Sequence, residues 1–369
     1  MKQQMTKRVI ISGGGTGGHV FPAISIANAL KSIDSDIAVH FVGARGRLEM
    51  DKVPEAGYDI SGLPVAGFER KLSMKNFGVM IKLARSIRAA GRIISSFKPD
   101  VVVGVGGYAS GPVLRVAGKR NIPTLIQEQN SYPGMTNRML AKKAKLICVA
   151  YEGMEKYFPA DKILLTGNPI RKDLVLQDGS RESALKHFGL SNEFPVILVL
   201  GGSGGSRTIN ESIAGDLDVF ENGRLQLIWQ TGRYYYDNMR KISESRGSSM
   251  VHVHAFISRM DLAFAAADIV VSRAGAGTIS ELSAAGRPVI LVPSPNVAGD
   301  HQTKNAMALV RNNAALMLKD DECREKLGDT INALVDDREK RESLSENISL
   351  MARKDADIII AKEILKLAE

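Results

Sequence analysis

The chain has 369 residues, 44% hydrophobic and 24% charged, which is a globular composition rather than a disordered one and room for two or three domains at roughly 100–200 residues each. No apolar run reaches the roughly 18 residues of a spanning helix, and the run at residues 9–11 is too short for a signal peptide. Two cysteines, Cys148 and Cys323, make neither a disulfide framework nor a zinc cluster, so the expectation is a cytosolic chain without a structural metal.

The net charge of +9 is unevenly placed: residues 1–165 hold 24 Lys+Arg against 12 Asp+Glu, and the remainder 25 against 28. Such asymmetry fits an anionic partner for the first half (nucleic acid, an anionic membrane face or a phosphorylated substrate), or a solvated basic surface.

In chain order, residues 7–12 (KRVIIS) predict a strand, followed by a glycine loop and a helix over 22–31. Further strands are predicted at 39–42, 101–105, 124–127 and 147–149, with helices at 74–97, 113–120 and 136–141 between them. The pattern restarts at 195–200 (PVILVL), again with a glycine loop and a helix, and continues through strands at 227–230, 251–253, 269–271 and 289–292. Strands alternating with helices predict parallel sheets covered on both faces, here as two Rossmann-like domains. GNPIR at 167–171 reads as the hinge, because Pro169 restrains its neighbour and cannot extend a helix. The expected divisions are 1–166, 167–340, and a C-terminal helical stretch at 341–369 that returns to the first domain.

Four glycine loops follow strands: GGGTGG (13–18), GVGGYASG (104–111), GGSGGS (201–206) and GAGT (275–278). One alone reads as a tight turn. Four at strand C-termini predict a cleft lined with backbone donors and suited to phosphate, since ligands of open α/β sheets bind outside those ends. The first loop satisfies G-x-G-x-x-G, but the end of the second strand, Phe41 to Arg45, carries no carboxylate for a ribose; Arg45 or Arg47 would suit a 2′-phosphate.

His19 follows the first loop and is either a proton acceptor or a helix-start hydrogen-bonding group. Glu128 is a second candidate base or a structural cap. Glu281 stands three residues after Thr278, which is capping-box spacing, although its carboxylate would equally hold ribose hydroxyls. Asp300, His301 and Gln302 form a polar cluster for sugar hydroxyls or a helix cap. Arg171 is placed to neutralise a diphosphate or to form a surface ion pair. Three D-x-D pairs, Asp34/Asp36, Asp216/Asp218 and Asp355/Asp357, read as solvated acids rather than metal ligands.

Seven ordered segments, GGGTGGHVFPA, GVGGYASGP, QEQN, GNPIR, GGSGGSR, SRAGAGTISE and DHQTKNA, together resemble the MurG family of peptidoglycan glycosyltransferases. The resemblance spans most of the chain. It implies a GT-B fold, two Rossmann-like domains with parallel sheets facing a central cleft, and transfer of N-acetylglucosamine (GlcNAc) from UDP-GlcNAc to the 4-hydroxyl of MurNAc in undecaprenyl-pyrophosphoryl-MurNAc-pentapeptide. The reaction would convert lipid I to lipid II by inverting, metal-independent displacement with no cofactor.

By the matching motifs, Ser203 and Arg171 would approach the diphosphate and the backbone at Ile257 the uracil. Ala276, Gly277, Thr278, Ile279, Ser280 and Glu281 would line the nucleotide, with Glu281 on the ribose, and Gln302 would reach GlcNAc. Thr16, Gly17, Gly18, His19 and Asn130 would face the acceptor, with His19 the first choice of base and Glu128 the second. Two positions depart from the family: Gly204, where Gln is common, and Gln127, where His is frequent.

The same resemblance gives the basic half a partner, the cytoplasmic face of the bacterial inner membrane, to which the enzyme would be peripheral. Residues 70–98 hold eight basic and no acidic residues interleaved with apolar ones. Leu72, Phe77, Met80 and Ile81 with Lys75, Lys82 and Arg85 would meet an anionic inner leaflet, unless the segment is a core-facing amphipathic helix. Rival readings are another UDP-sugar GT-B enzyme, an NADP oxidoreductase, which leaves the second glycine-rich half idle, and a nucleic-acid module, which the scarcity of aromatics in 70–98 disfavours.

Overall fold

Short β-branched runs form strands with both faces covered, as at Val101–Gly104, where every residue is buried. The computed structural model describes residues 6–65, 75–170, 180–202, 204–221, 224–247 and 249–369. It divides into residues 1–170 with 353–369, and residues 171–352.

In the first unit the elements run β1 (Arg8–Ser12), α1 (Gly17–Ile33), β2 (Ala38–Ala44), α2 (Glu49–Glu55), β3 (Ile60–Leu63), α3 (Lys75–Phe97), β4 (Val101–Gly104), α4 (Ser110–Lys119), β5 (Thr124–Glu128), α5 (Met135–Leu140), β6 (Leu146–Val149) and β7 (Ile163–Leu165). The sheet is parallel in the order β3-β2-β1-β4-β5-β6-β7. One face packs on α1, with Ile26 and Leu30 in its core; the other packs on α3 and α4 through Ala90, Ile94 and Val113.

The second unit runs α6 (Arg181–Phe188), β8 (Val196–Leu200), α7 (Arg207–Gly215), α8 (Asp218–Glu221), β9 (Gln226–Gln230), α9 (Tyr236–Arg246), β10 (Val251–His254), α10 (Met260–Ala266), β11 (Ile269–Ser272), α11 (Ala276–Ala285), β12 (Val289–Leu291), α12 (His301–Val310), β13 (Leu316–Met317), α13 (Cys323–Asp336) and α14 (Arg338–Leu350). Its parallel sheet has the order β10-β9-β8-β11-β12-β13. Each sheet therefore reverses winding once, between β1 and β4 and between β8 and β11, and the four glycine loops leave the C-terminal ends of those four strands. Such switch points are where open α/β sheets bind ligands.

Three differences from the sequence reading have physical causes. Helix α1 starts at Gly17, five residues before the predicted start, because glycine's low helix propensity does not prevent it from occupying a first turn. The short strands β3, β7 and β13 escape periodicity arguments; β3 even contains Gly62. The stretch expected to return whole to the first domain is two helices broken at 351–355. Leu344 and Ile348 of α14 bury in the second unit, while α15 (Ala356–Leu367) packs Ile360, Ala361 and Ile364 into the first.

Candidate active site

In the first unit, Thr16 is the N-cap of α1, in extended conformation, and its Oγ1 lies 3.2 Å from Nδ1 of His19. Gly17 and Gly18 form the first turn of α1. The other edge of His19 faces the loop after β4: a Cβ on Gly106 would sit 2.8 Å from Nε2 of His19 and 3.7 Å from Oε1 of Gln129. That Gln129 oxygen is buried and has no hydrogen-bond partner, whereas Nε2 of Gln129 donates to the Val105 carbonyl at 2.6 Å and to Oε1 of Gln127.

Glu128, 1% exposed, accepts four hydrogen bonds: from the Asn130 backbone N–H (3.0 Å) and Nδ2 (3.3 Å) on one oxygen, and from the Gly134 N–H (3.1 Å) and Asn137 Nδ2 (2.9 Å) on the other. Burial pushes its carboxyl above the usual range, against the pull of those donors. The group ties the loop after β5 together, and it brings Asn130 there through both of the latter's donors.

In the second unit, the loop after β8 folds onto the loop after β9, where a Cβ on Gly205 would strike the Thr231 carbonyl. Ser206 N-caps α7 by accepting from the Ile209 N–H at 3.3 Å. Helix α11 begins at Ala276 behind Gly275, which has no capping side chain. Thr278 is thus the third helical residue and Glu281 lies in the second turn, so the expected Thr278–Glu281 capping box does not form.

Ala276, Gly277 and Thr278 supply the first-turn amides of α11, the end where a helix favours an anion. Ser280 Oγ turns back to the Ala276 carbonyl at 3.1 Å. The Ile279 side chain belongs to the core, so a lining role for it is confined to its backbone, and its N–H already bonds the Gly275 carbonyl. The Ile257 N–H donates to Oε1 of buried Gln230 at 2.9 Å. Gln302 uses Oε1 to accept from the Ser294 N–H at 2.8 Å, which pins the loop after β12. Arg171 and Ser203 lie outside the described residues.

The Glycosyltransferase family 28 N-terminal domain matches residues 9–149, and the Glycosyltransferase family 28 C-terminal domain matches residues 196–359. A curated relative from Parabacteroides distasonis, 57% identical over 98% of both chains, is named UDP-N-acetylglucosamine--N-acetylmuramyl-(pentapeptide) pyrophosphoryl-undecaprenol N-acetylglucosamine transferase; one from Bacteroides thetaiotaomicron with the same name is 55% identical over 98% of both. The crystal structure of Acinetobacter baumannii MurG aligns with a TM-score of 0.79 at 26% identity, covering 98% of this chain and 99% of that one. The chain belongs to the MurG family. It is a glycosyltransferase built from two parallel-sheet α/β domains.

Of the departures from the MurG pattern, Gln127 has a clear local role. Its Nε2 donates to Oδ1 of Asn168 at 2.9 Å while its Oε1 accepts from Gln129, and Asn168 Nδ2 donates to the Gln129 carbonyl at 3.1 Å. Asn168, within the expected hinge, is therefore locked into the first unit. A Cβ on Gly204 would meet nothing within 4 Å.

Two of the D-x-D pairs are not the solvated acids expected. Asp216 accepts from the Gly328 N–H at 3.2 Å, with its carboxyl raised by burial, and Asp357 is buried at the start of α15.

Of the expected membrane-facing residues, Leu72 lies outside the described residues, as do the side chains of Lys75, Phe77 and Met80. Ile81, Lys82 and Arg85 are exposed on α3. Met135 and Met139, which sequence reasoning missed, are 77% and 73% exposed on α5. Helix α4 packs against both α3 and α5, and a groove between α3 and α4 is lined by Arg88, Arg92, Arg120 and Ser95 over Ile87 and Val116.

Strand β10 carries a pH dependence. Burial lowers the His252 and His254 imidazoles, His254 further through His252 and His187, and Nε2 of each is buried without a partner. Above the unfolded pKa of about 6.5 both states are neutral and stability is complete; as pH falls below it, the unfolded chain takes protons the native state resists, and stability is lost. Thermal midpoints are expected to fall between pH 7.5 and 5.5, with a shallower fall in His254→Phe.

Proposed function

We propose that this chain transfers GlcNAc from UDP-GlcNAc to the 4-hydroxyl of MurNAc in undecaprenyl-pyrophosphoryl-MurNAc-pentapeptide, with inversion, at the cytoplasmic face of the bacterial inner membrane. Near-complete coverage at 57% identity by a relative bearing that activity as its name carries the reading. The first-turn amides of α11, with Arg171 and Ser203, hold the donor diphosphate; Glu281 takes the ribose, the Ile257 carbonyl the uracil, and Nε2 of Gln302 the sugar hydroxyls. Thr16, Gly17, Gly18 and Asn130 hold the acceptor.

The acceptor oxygen forms its bond to C1 of the α-linked sugar as the C1–O bond to UDP breaks, and the hydroxyl proton passes to His19. In the tautomer that donates Nδ1–H to Thr16 Oγ1, 3.2 Å away, Nε2 is the atom that takes it. The four donors on Glu128 support a scaffolding role for that residue over its reading as a base. UDP leaves with its charge on main-chain amides and Arg171.

Calorimetry tests the donor assignment. UDP-GlcNAc binds and NADPH does not, and tight NADPH binding without UDP-GlcNAc binding would overturn it.

The membrane reading rests on exposed Ile81 with Lys82, Arg85, Arg88 and Arg92 on α3, each charge contributing about 1 kcal/mol near an anionic surface, and on exposed Met135 and Met139 on α5. Vesicles with anionic lipid bind the protein and neutral ones bind it poorly. Met135→Asp with Met139→Asp weakens the anionic binding severalfold; binding unaffected by lipid charge and by these changes would contradict it.

A further inference from the structure

The first glycine loop already contains an anion. Glu49, at the start of α2, is 2% exposed. Its Oε1 accepts from the Ala44 N–H at the end of β2, and its Oε2 from the Gly15 N–H in the loop after β1, each at 2.8 Å. The surrounding glycines leave it room: Gly14 and Gly15 have φ of +139° and +93°, a Cβ on Gly14 would run into the carboxylate, and one on Gly43 would lie 2.5 Å from Glu49 Cγ. A dinucleotide-binding loop would offer the Gly15 amide to a ligand phosphate. Here a buried carboxylate occupies it, and a second anion at that spot would meet uncompensated like charge.

Gly15 directly precedes Thr16, the cap of α1 whose hydroxyl meets His19 Nδ1. The opposite wall of the loop is closed by Gly107, where a Cβ would strike the Gly14 carbonyl. The loop is thus held from the β2 side by Glu49 and from the β4 side by close backbone packing. We propose that Glu49 is a positioning residue, an internal anion that sets the glycine loop and through it the orientation of Thr16 and His19 for transfer. The proposal rests on the reading of His19 as the proton acceptor.

Glu49→Gln replaces one carboxylate oxygen by an NH2 that must face an N–H donor, so one of the two anchors is lost. In GlcNAc transfer by the full chain, kcat falls roughly 10- to 100-fold, as expected for a reacting group displaced by a fraction of an ångström to an ångström. The Kd for UDP-GlcNAc by calorimetry stays within twofold, and amide exchange accelerates at residues 13–19.

A soluble Glu49→Gln protein with kcat within twofold of the parent and unchanged exchange overturns the proposal. If Glu49→Gln does not fold, Gly43→Ala decides by the same readouts, since its nearest neighbours are Glu49 Cγ at 2.5 Å and Ile60 Cδ1 at 3.1 Å. A parent chain that binds UDP-GlcNAc but transfers nothing overturns the function reading and this role with it; an active parent with indifferent variants overturns this role alone.

Discussion

His19→Ala is expected to lower kcat for GlcNAc transfer by roughly 100- to 10,000-fold, the range supplied by general base catalysis. Donor affinity should be untouched, because the proposed donor site belongs to the other unit. The ring's Nδ1 is engaged by Thr16 and its far edge faces Gly106, so its orientation is fixed from two sides. Thr16→Val, which keeps the shape and removes the hydroxyl, should show a smaller loss and a shifted pH–rate profile. A His19→Ala protein retaining more than a tenth of parental kcat would remove the imidazole from the chemistry.

Glu128→Ala is expected to act on stability first. Four donors converge on this buried carboxylate, and deleting it strands them; allowing for water entering the space, the loss is about 3 kcal/mol. That corresponds to a fall of roughly 6–12 °C in the first unit's melting midpoint. Glu128→Gln should not rescue it, since its NH2 must oppose either the two Asn130 donors or those of Gly134 and Asn137. The opposite pattern, an unchanged midpoint with kcat reduced as far as in His19→Ala, would return Glu128 to the role of base.

What the sequence made legible was whatever is written in local order. The four glycine loops announce themselves because each stands between an apolar strand and a helix, and the restart at residue 195 marks the second Rossmann-like unit. What escaped depends on partners distant in sequence or on where an element starts. Glu49 binds an amide 34 residues before it, and nothing in RGRLEM signals a loop anchor. The Thr278–Glu281 spacing suggested a cap only until the helix start fell at Gly275. Ile279 sits inside the segment proposed to line the nucleotide yet points into the core, as the helical period beyond that start requires. Met135 and Met139, one helical turn apart, read equally well as buried or exposed until the packing of α4 and α5 decided it.

Every residue role proposed above depends on one event, sugar transfer to the lipid-linked acceptor. Its most direct test supplies radiolabelled UDP-GlcNAc and a short-chain lipid I analogue to the purified chain and determines the anomeric configuration of the disaccharide formed. Label is expected in the lipid product, joined through a β-1,4 bond. Release of free GlcNAc with no labelled lipid, or an α-linked product, would contradict it.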